Sequence, residues 1–144
     1  MYPSTHERLG QHIKRVEQEF TAAKHAALRP FKINVPQYSV LYALYQEPGL
    51  SGAVLARRCM VTPQTMSSVL STLEGRGLVE RKPHPVHGHI LEARLTRTGR
   101  SLLNRANVAV QEVEQLLTDR FEPDEAELFL AQLERCSEAL GSRK

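Results

Sequence analysis

Polar side chains able to hydrogen-bond with nucleotide bases lie together between Thr62 and Ser71. The apolar residues from Met66 to Leu73 fall within one arc of a helical wheel, which leaves an uncharged polar arc opposite them. An amide can pair two-pronged with adenine, hydroxyls can bond several base edges, and a threonine methyl or proline ring can contact a thymine methyl. The alternative is a serine-rich face that simply meets solvent. The predicted base-contacting residues are Thr62, Pro63, Gln64, Thr65, Ser67, Ser68 and Ser71.

Cationic side chains flank this polar arc. Residues 51–100 carry eight Lys or Arg and three acidic residues. Phosphate groups attract such cations, so we expect phosphate contacts from those beside the base-contacting helix. The combination predicts double-stranded DNA as a partner. The predicted phosphate-contacting residues are Arg57, Arg58, Arg76 and Lys82.

Charge is unevenly distributed along the chain. Residues 112–140 carry two basic and nine acidic groups, although the whole chain has a net charge of only +3. A polyanion would repel this acidic segment, so we expect it to lie away from the DNA. Charge alone leaves open that each run is a solvated face, and only the structural context favours DNA.

Composition disfavours several other classes of protein. The length of 144 residues with 41% apolar content is typical of one compact helical unit. No apolar run approaches the roughly 18 to 20 residues needed to cross a bilayer, and the polar start lacks the apolar middle of a secretory signal. We therefore expect a cytoplasmic protein without membrane contact. No glycine-rich phosphate loop, nucleophile elbow or paired-carboxylate motif occurs, so neither an enzyme nor a cofactor is expected.

Helical periodicity and capping signals predict the elements that position these residues. A long amphipathic helix ends near Arg29, and a second helix begins around Pro36 and stops at Pro48. Ser51 is expected to cap a third helix and Thr62 a fourth, which closes between Gly75 and Gly77.

The remaining elements follow the fourth helix. Short mixed segments at 78–81 and 90–95, separated by a loop rich in Pro, His and Gly, predict a two-stranded hairpin, or wing. Thr96 is expected to cap a fifth helix and Pro123 to begin a sixth. The predicted fold class is mostly α, a winged helix-turn-helix with about six helices and a two-stranded β-wing. Its DNA-binding domain spans residues 36–100.

At this point the residues resemble a known family. The stretch LARRCMVTPQTMSSVLSTLEGRGLVERK, followed by LTRTG, is similar to the signature of the MarR family of transcriptional regulators. The resemblance covers nearly the whole chain, and its most specific parts are LEGRGLVER and LTRTG at their mutual spacing. It implies a homodimer in which the terminal helices of both chains, 1–35 and 101–144, form a dimerisation bundle. Two winged lobes would then be held for adjacent half-sites.

The apolar stripes of the terminal helices favour a dimer independently. A lobe made from residues 36–100 is too small to cover the stripes of three further helices. A monomeric bundle is the alternative. In dimeric helix-turn-helix proteins the half-sites lie roughly 34 to 36 Å apart, so we expect an imperfect palindromic operator.

The resemblance also exposes two departures from the family pattern. Relatives often have a basic residue near Ser68 or Thr72, so this chain is expected to make fewer guanine contacts and to depend more on phosphate contacts and DNA shape. At the wing tip, His87 and His89 stand where relatives commonly have Asp and Arg for insertion into the minor groove. Protonated histidines would enter that groove better and would raise operator affinity as the pH falls through about 6.5, which the sequence leaves open. A mobile loop with weak contacts is the alternative.

Similar regulators release DNA when a small, often aromatic and anionic compound enters a crevice between the winged lobe and the dimer helices. The candidate effector-binding residues are His12, Arg15, Tyr38 and Tyr42. Tyrosines supply apolar contact and a hydroxyl, and Arg or His can meet a carboxylate. Helix-packing and surface roles are the alternative for these residues, and they are the favoured interpretation for His12 and Arg15.

Thiol and metal chemistry are weaker interpretations. Cys59 and Cys136 lie far apart and are expected to be reduced and core-facing, which disfavours thiol sensing as a trigger. His84, His87 and His89 share a loop without a neighbouring Cys or carboxylate, so no metal site is predicted.

The sequence therefore predicts a sequence-specific, dimeric transcriptional regulator of the repressor type, released by a small-molecule effector. A nonspecific or architectural DNA binder, or a winged-helix protein-interaction module without ligand response, is the alternative.

Overall fold

The computed structural model describes residues 4–141, and within that range six α-helices and one small antiparallel sheet occur. None of these helices combines the length and apolar character that crossing a membrane requires. A short 3₁₀ turn at Arg29–Phe31 follows the first helix. The helices are α1 Thr5–Leu28, α2 Val35–Gln46, α3 Gly52–Arg58, α4 Pro63–Gly75, α5 Arg97–Thr118 and α6 Pro123–Gly141. The strands are β1 Leu50–Ser51, β2 Val79–Pro83 and β3 Leu91–Leu95.

The described chain divides into two compact units. The first extends through Val110 and contains α1 to α4, the sheet and the first turns of α5. The second begins at Gln111 and contains α6 together with the rest of α5. In this unit the rings of Phe121 and Phe129 meet edge to face, with their centroids 5.3 Å apart. The sequence-based division at residues 36 and 100 is defined by function, and it stays a prediction.

Side-chain caps set the helix starts. The Asn34 carboxamide accepts from the Gln37 N–H at 2.9 Å, and the Gln37 side chain accepts from the Asn34 N–H at 3.0 Å. This capping box starts α2 one residue before the predicted Pro36. The predicted caps of α3 and α4 are confirmed, since the Ser51 and Thr62 hydroxyls accept from backbone N–H groups three residues on.

Both helices of the helix-turn-helix end in the same backbone motif. After α4, the Gly77 N–H donates to Glu74 and the Leu78 N–H to Leu73, with Gly77 at φ +72°. This is a Schellman ending, which requires a left-handed residue and therefore favours glycine. The equivalent residue after α3 is Met60, at φ +58°.

The sheet contains one strand more than the predicted two-stranded wing. Its strand order is β1-β3-β2, because Leu50 pairs with Ala93 and Ser51 with Glu92. The predicted hairpin of β2 and β3 is confirmed. The additional strand ties the start of α3 to the base of the wing, so the helix-turn-helix and the wing share one scaffold.

The LTRTG motif joins the wing to α5. Thr96 caps α5 through its hydroxyl, which accepts from the Gly99 N–H at 3.0 Å, as predicted. The same hydroxyl donates to the Gly77 carbonyl at 2.6 Å, and the Thr96 N–H donates to Leu78 at 3.1 Å. A Cβ built at Gly99 would lie 2.0 Å from the Leu78 carbonyl oxygen. Only glycine therefore allows this close approach, which explains the spacing between LEGRGLVER and LTRTG.

A buried aliphatic cluster holds the first unit together. Its fully buried large side chains include Leu28, Leu41, Leu44, Leu55, Met66, Leu70, Leu73 and Leu103. Because α2, α3 and α4 all contribute to this cluster, burial of one face of α4 fixes which side of that helix meets solvent.

Large apolar side chains remain exposed in each unit. On α1 they are Leu9, Ile13 and Val16. In the second unit they are Leu116, Leu117, Leu128, Phe129, Leu130, Leu133 and Leu140. A concentration of exposed large apolar side chains is typical of protein interfaces.

Candidate nucleic-acid interface

The exposed face of α4 carries every polar residue that the sequence places there. Met66, Leu70 and Leu73 are at most 1% exposed and pack into the core. The opposite side is exposed and carries hydroxyl and amide groups able to donate and accept hydrogen bonds. This exposed set is Thr62, Pro63, Gln64, Thr65, Ser67, Ser68 and Ser71. The structure therefore brings the predicted base-contacting residues together on one helix; their contacts with bases stay a prediction.

The first turn of α4 is ordered by its own side chains. The Thr62 hydroxyl accepts from the Thr65 N–H at 3.1 Å and donates to the Thr65 hydroxyl at 2.9 Å. This arrangement leaves the hydroxyl hydrogen of Thr65 able to turn outward. It fixes the end of α4 that a major groove would receive first.

The four predicted phosphate-contacting cations differ in their surroundings. Arg57 is exposed in the last turn of α3. Arg58 Nη2 forms an ion pair with Glu47, and Lys82 Nζ lies 4.0 Å from a Glu80 carboxylate oxygen. Exposed ion pairs contribute little free energy, so Arg58 and Lys82 can exchange a carboxylate for a phosphate.

Arg76 has an internal partner that the sequence does not predict. Its guanidinium donates to the Lys32 carbonyl at 2.7 Å, which joins the end of α4 to the turn that follows α1. A guanidinium has further N–H donors, so this bond and a phosphate contact are compatible.

Arg81 braces the wing. Its Nη2 lies 3.1 Å from a Glu74 carboxylate oxygen, and its side chain is only 21% exposed. The pair connects β2 to the last turn of α4. Arg81 Nε is buried with no hydrogen-bond partner, so breaking the pair would leave the guanidinium poorly satisfied.

The wing loop presents histidines and one apolar side chain. His87 and His89 are exposed, as is Val86 between the two strands. The rings of His84 and His87 lie 5.2 Å apart, and those of His87 and His89 lie 6.2 Å apart. Within residues 4–141 no three metal-binding side chains are arranged to hold an ion.

The candidate effector residues form two separate pairs. On α1, Arg15 Nη2 donates to His12 Nδ1 at 3.2 Å, and Arg15 also lies 3.6 Å from Glu19. On α2, the rings of Tyr38 and Tyr42 stack at 6.1 Å. Tyr38 is buried, whereas the other three are exposed.

Two residues beside Tyr38 were missed from the sequence. The Tyr38 hydroxyl donates to Asn107 Oδ1 at 2.5 Å. Lys24 Nζ lies 5.8 Å from the Tyr38 ring centroid and 5.2 Å from that of Phe20. The contact between Phe20 and Lys24 could have been predicted, because residues four apart on a helix are neighbours. Nothing near Tyr38 in the sequence indicates its contact with Asn107.

The two thiols differ from expectation in one respect. Cys59 packs against the core, and burial raises the pKa of its thiol. The prediction that Cys136 faces the core is wrong, because Cys136 is exposed on α6. The apolar residues that share its helical face made a core position plausible from helical spacing alone.

Comparison with known proteins identifies the family. Residues 31–88 match the model of the MarR family. The chain is 37% identical over 127 residues to the HTH-type transcriptional repressor Rv2887 of Mycobacterium tuberculosis. The aligned region covers 88% of this chain and 91% of the relative. The chain belongs to the MarR family. The sequence-based recognition of that family, and of its winged helix-turn-helix fold, is confirmed.

Solved structures of MarR family proteins share this fold. Rv2887 in complex with DNA superposes with a TM-score of 0.72 at 35% identity, covering 89% of this chain and 96% of that one. Rv2887 in complex with p-aminosalicylic acid superposes with a TM-score of 0.72 at 36% identity, covering 90% of this chain and 98% of that one. The transcriptional repressor CouR bound to a DNA duplex superposes with a TM-score of 0.83 at 28% identity, covering 90% of this chain and 92% of that one.

Proposed function

We propose that this chain is a sequence-specific DNA-binding transcriptional regulator of the MarR type that acts as a homodimeric repressor. The observation that carries the proposal is the exposed polar face of α4, which a buried opposite face and a capped first turn hold in one orientation. Relatives from the same family have been solved on DNA. As part of this proposal, the protein is a regulator rather than an enzyme and acts in the cytoplasm, which the similarity to HTH-type transcriptional repressors supports.

The face of α4 reads bases in the major groove. Gln64 near the helix start suits an adenine edge, and the serines suit several edges. Arg57, Arg58, Arg76 and Lys82 anchor the flanking phosphates, and His87 and His89 meet the adjacent minor groove.

A second copy of the chain covers the exposed apolar side chains of α1 and of the second unit. Segments 1–35 and 101–144 supply this dimer interface, and residues 36–100 supply the DNA-binding domain. Burying such side chains contributes roughly 25 cal/mol per Å² of apolar area removed from water. A two-fold dimer matches an imperfect palindrome.

A small aromatic acid releases the repressor. The relative Rv2887 has been solved with p-aminosalicylic acid. In this chain the stacked Tyr38 and Tyr42 offer apolar surface, while Arg15 and His12 offer positive charge or hydrogen-bond donors for a carboxylate. An effector that binds the DNA-free arrangement more tightly shifts the population away from DNA.

A competition experiment tests the proposal. A labelled duplex recovered by in vitro selection with the full-length protein is competed by unlabelled copies of itself and by unrelated DNA. A specific regulator prefers its own duplex by at least about 10³. Equal competition by both would instead identify a nonspecific DNA binder, and absence of binding to any duplex at low salt would remove the proposal.

A further inference from the structure

His84 closes the wing loop with its side chain. Its Nδ1 lies 3.0 Å from the backbone nitrogens of both Val86 and His87. Two backbone bonds complete the loop: His84 N–H donates to Ile90, and Ile90 N–H donates to His87, each at 2.8 Å. The loop between β2 and β3 is therefore organised around one imidazole.

The protonation state of this imidazole follows from its partners. A backbone N–H can only donate, so His84 Nδ1 must accept and carries no proton, and the ring proton sits on Nε2. Nδ1 is separated from Cα by the same number of bonds as Oδ1 of asparagine, and it accepts from the N–H two residues on, as in an Asx-turn. A proton on Nδ1 would convert the acceptor into a donor facing two donors, and both bonds would be lost.

We propose that His84 is a positioning residue for the wing, and that the wing holds its DNA-contacting shape only while His84 is neutral. The proposal rests on the proposed DNA-binding function. The segment that the cap organises carries Val86, which is 77% exposed, and His87, which is expected to meet the minor groove. Releasing the cap makes this segment mobile. The conformational entropy lost when DNA orders the segment then weakens binding.

Other ionisable groups surround the cap. His87 stacks at an angle on His84, and His89 lies beside His87. The last charged residue of β2 is Lys82 and the first of β3 is Glu92, and these two are register partners. Lys82 lies near Glu80, and Glu92 lies 3.9 Å from Arg94. A proton on His87 is expected to favour the minor groove, whereas a proton on His84 releases the cap, so the two histidines act in opposite directions on DNA affinity.

Substitutions of His84 separate these effects. His84→Asn keeps an acceptor at the same place and cannot titrate, whereas His84→Ala removes the acceptor. His89→Asn is the comparison variant, since it removes a histidine from the same loop and leaves the His84 cap in place. Because His89 is itself expected to meet the minor groove, this variant is expected to bind no more tightly than wild type at either pH. Each protein is titrated against the selected duplex by fluorescence anisotropy at about pH 8 and about pH 5.5, on either side of the ordinary histidine range, at constant ionic strength.

The expected result is that the ratio of His84→Asn affinity to wild-type affinity changes with pH. At about pH 8, His84→Asn binds like wild type and His84→Ala binds about threefold to tenfold more weakly, the size expected for a lost capping interaction. At about pH 5.5, His84→Asn binds about threefold to tenfold more tightly than wild type. A ratio of His84→Asn to wild-type affinity that does not change with pH, or a His84→Ala protein that binds like wild type at the higher pH, overturns the proposal while DNA binding itself stands.

A measurement without DNA examines the cap directly. Amide hydrogen exchange by NMR is expected to give lower protection factors for the Val86 and His87 N–H groups at about pH 5.5 than at about pH 8 in wild type, but not in His84→Asn. Equal protection factors at both pH values in wild type overturn the proposal. If wild type binds no duplex at either pH, the proposed function fails, and with it the role of the cap in DNA binding.

Discussion

Replacing Gly99 by alanine is expected to destabilise the first unit strongly. The added Cβ would lie 2.0 Å from the Leu78 carbonyl oxygen, whereas real Cβ contacts stay beyond 3.0 Å. Separating the Cβ from this oxygen requires the Leu78 backbone to move. That movement disturbs the Thr96 hydrogen bonds to the Gly77 and Leu78 carbonyls. Each lost bond costs about 1 kcal/mol and overpacking about 1 to 3 kcal/mol, while alanine regains about 1 kcal/mol of helix propensity, so the expected net loss is about 2 to 4 kcal/mol.

Urea denaturation followed by circular dichroism measures this loss, with all proteins at the same protomer concentration because association adds to apparent stability. Gly75→Ala is the matched control, since Gly75 is also helical and a Cβ there meets nothing within 4 Å. That variant is expected to gain about 0.5 to 1 kcal/mol. A Gly99→Ala protein as stable as wild type would refute the assigned contact between α5 and Leu78.

Two further predictions concern single side chains. Met60→Gly is expected to stabilise the fold by about 0.5 to 1 kcal/mol, because Met60 adopts φ +58° and glycine carries no Cβ penalty there. In the same urea assay Met60→Ala should be close to neutral, since the Met60 side chain is 91% exposed; equal effects of Gly and Ala would contradict the backbone argument. In a Cys136→Ser protein, Cys59 should be alkylated more slowly when native than when unfolded, and faster as the pH rises, because burial raises the pKa of its thiol and lowers its thiolate fraction. Equal native and unfolded rates with iodoacetamide would contradict this.

Local signals were sufficient to predict most of the fold. Caps such as Ser51, Thr62 and Thr96 act on backbone groups three residues away, so their sequence pattern carries nearly all of the information. The exposed face of α4 followed from helical periodicity for the same reason. The strand at Leu50–Ser51 was missed because two residues give no alternation pattern, and its partner Ala93 is distant in sequence.

The internal contacts of the cations could not be predicted. Arg58 and Glu47 are 11 residues apart, and Arg76 and Lys32 are 44 residues apart, so each contact depends on the packed fold. The cap by His84 is local, within three residues, but histidine is not among the residues usually considered for that role. The exposed position of Cys136 was mispredicted because helical spacing alone does not reveal which apolar stripes a single chain leaves uncovered.

The most direct test of the account compares Gln64→Ala and Arg57→Ala on the selected duplex and its single-base variants over a series of salt concentrations. If α4 reads bases and α3 anchors phosphates, Gln64→Ala loses about 1 to 3 kcal/mol of discrimination at one base position and keeps the salt dependence. Arg57→Ala weakens all sequences about equally and lowers the salt slope by about one per protomer. Two variants that weaken every sequence alike, with the same salt slope as wild type, would contradict the assignment of α4 as the reading helix.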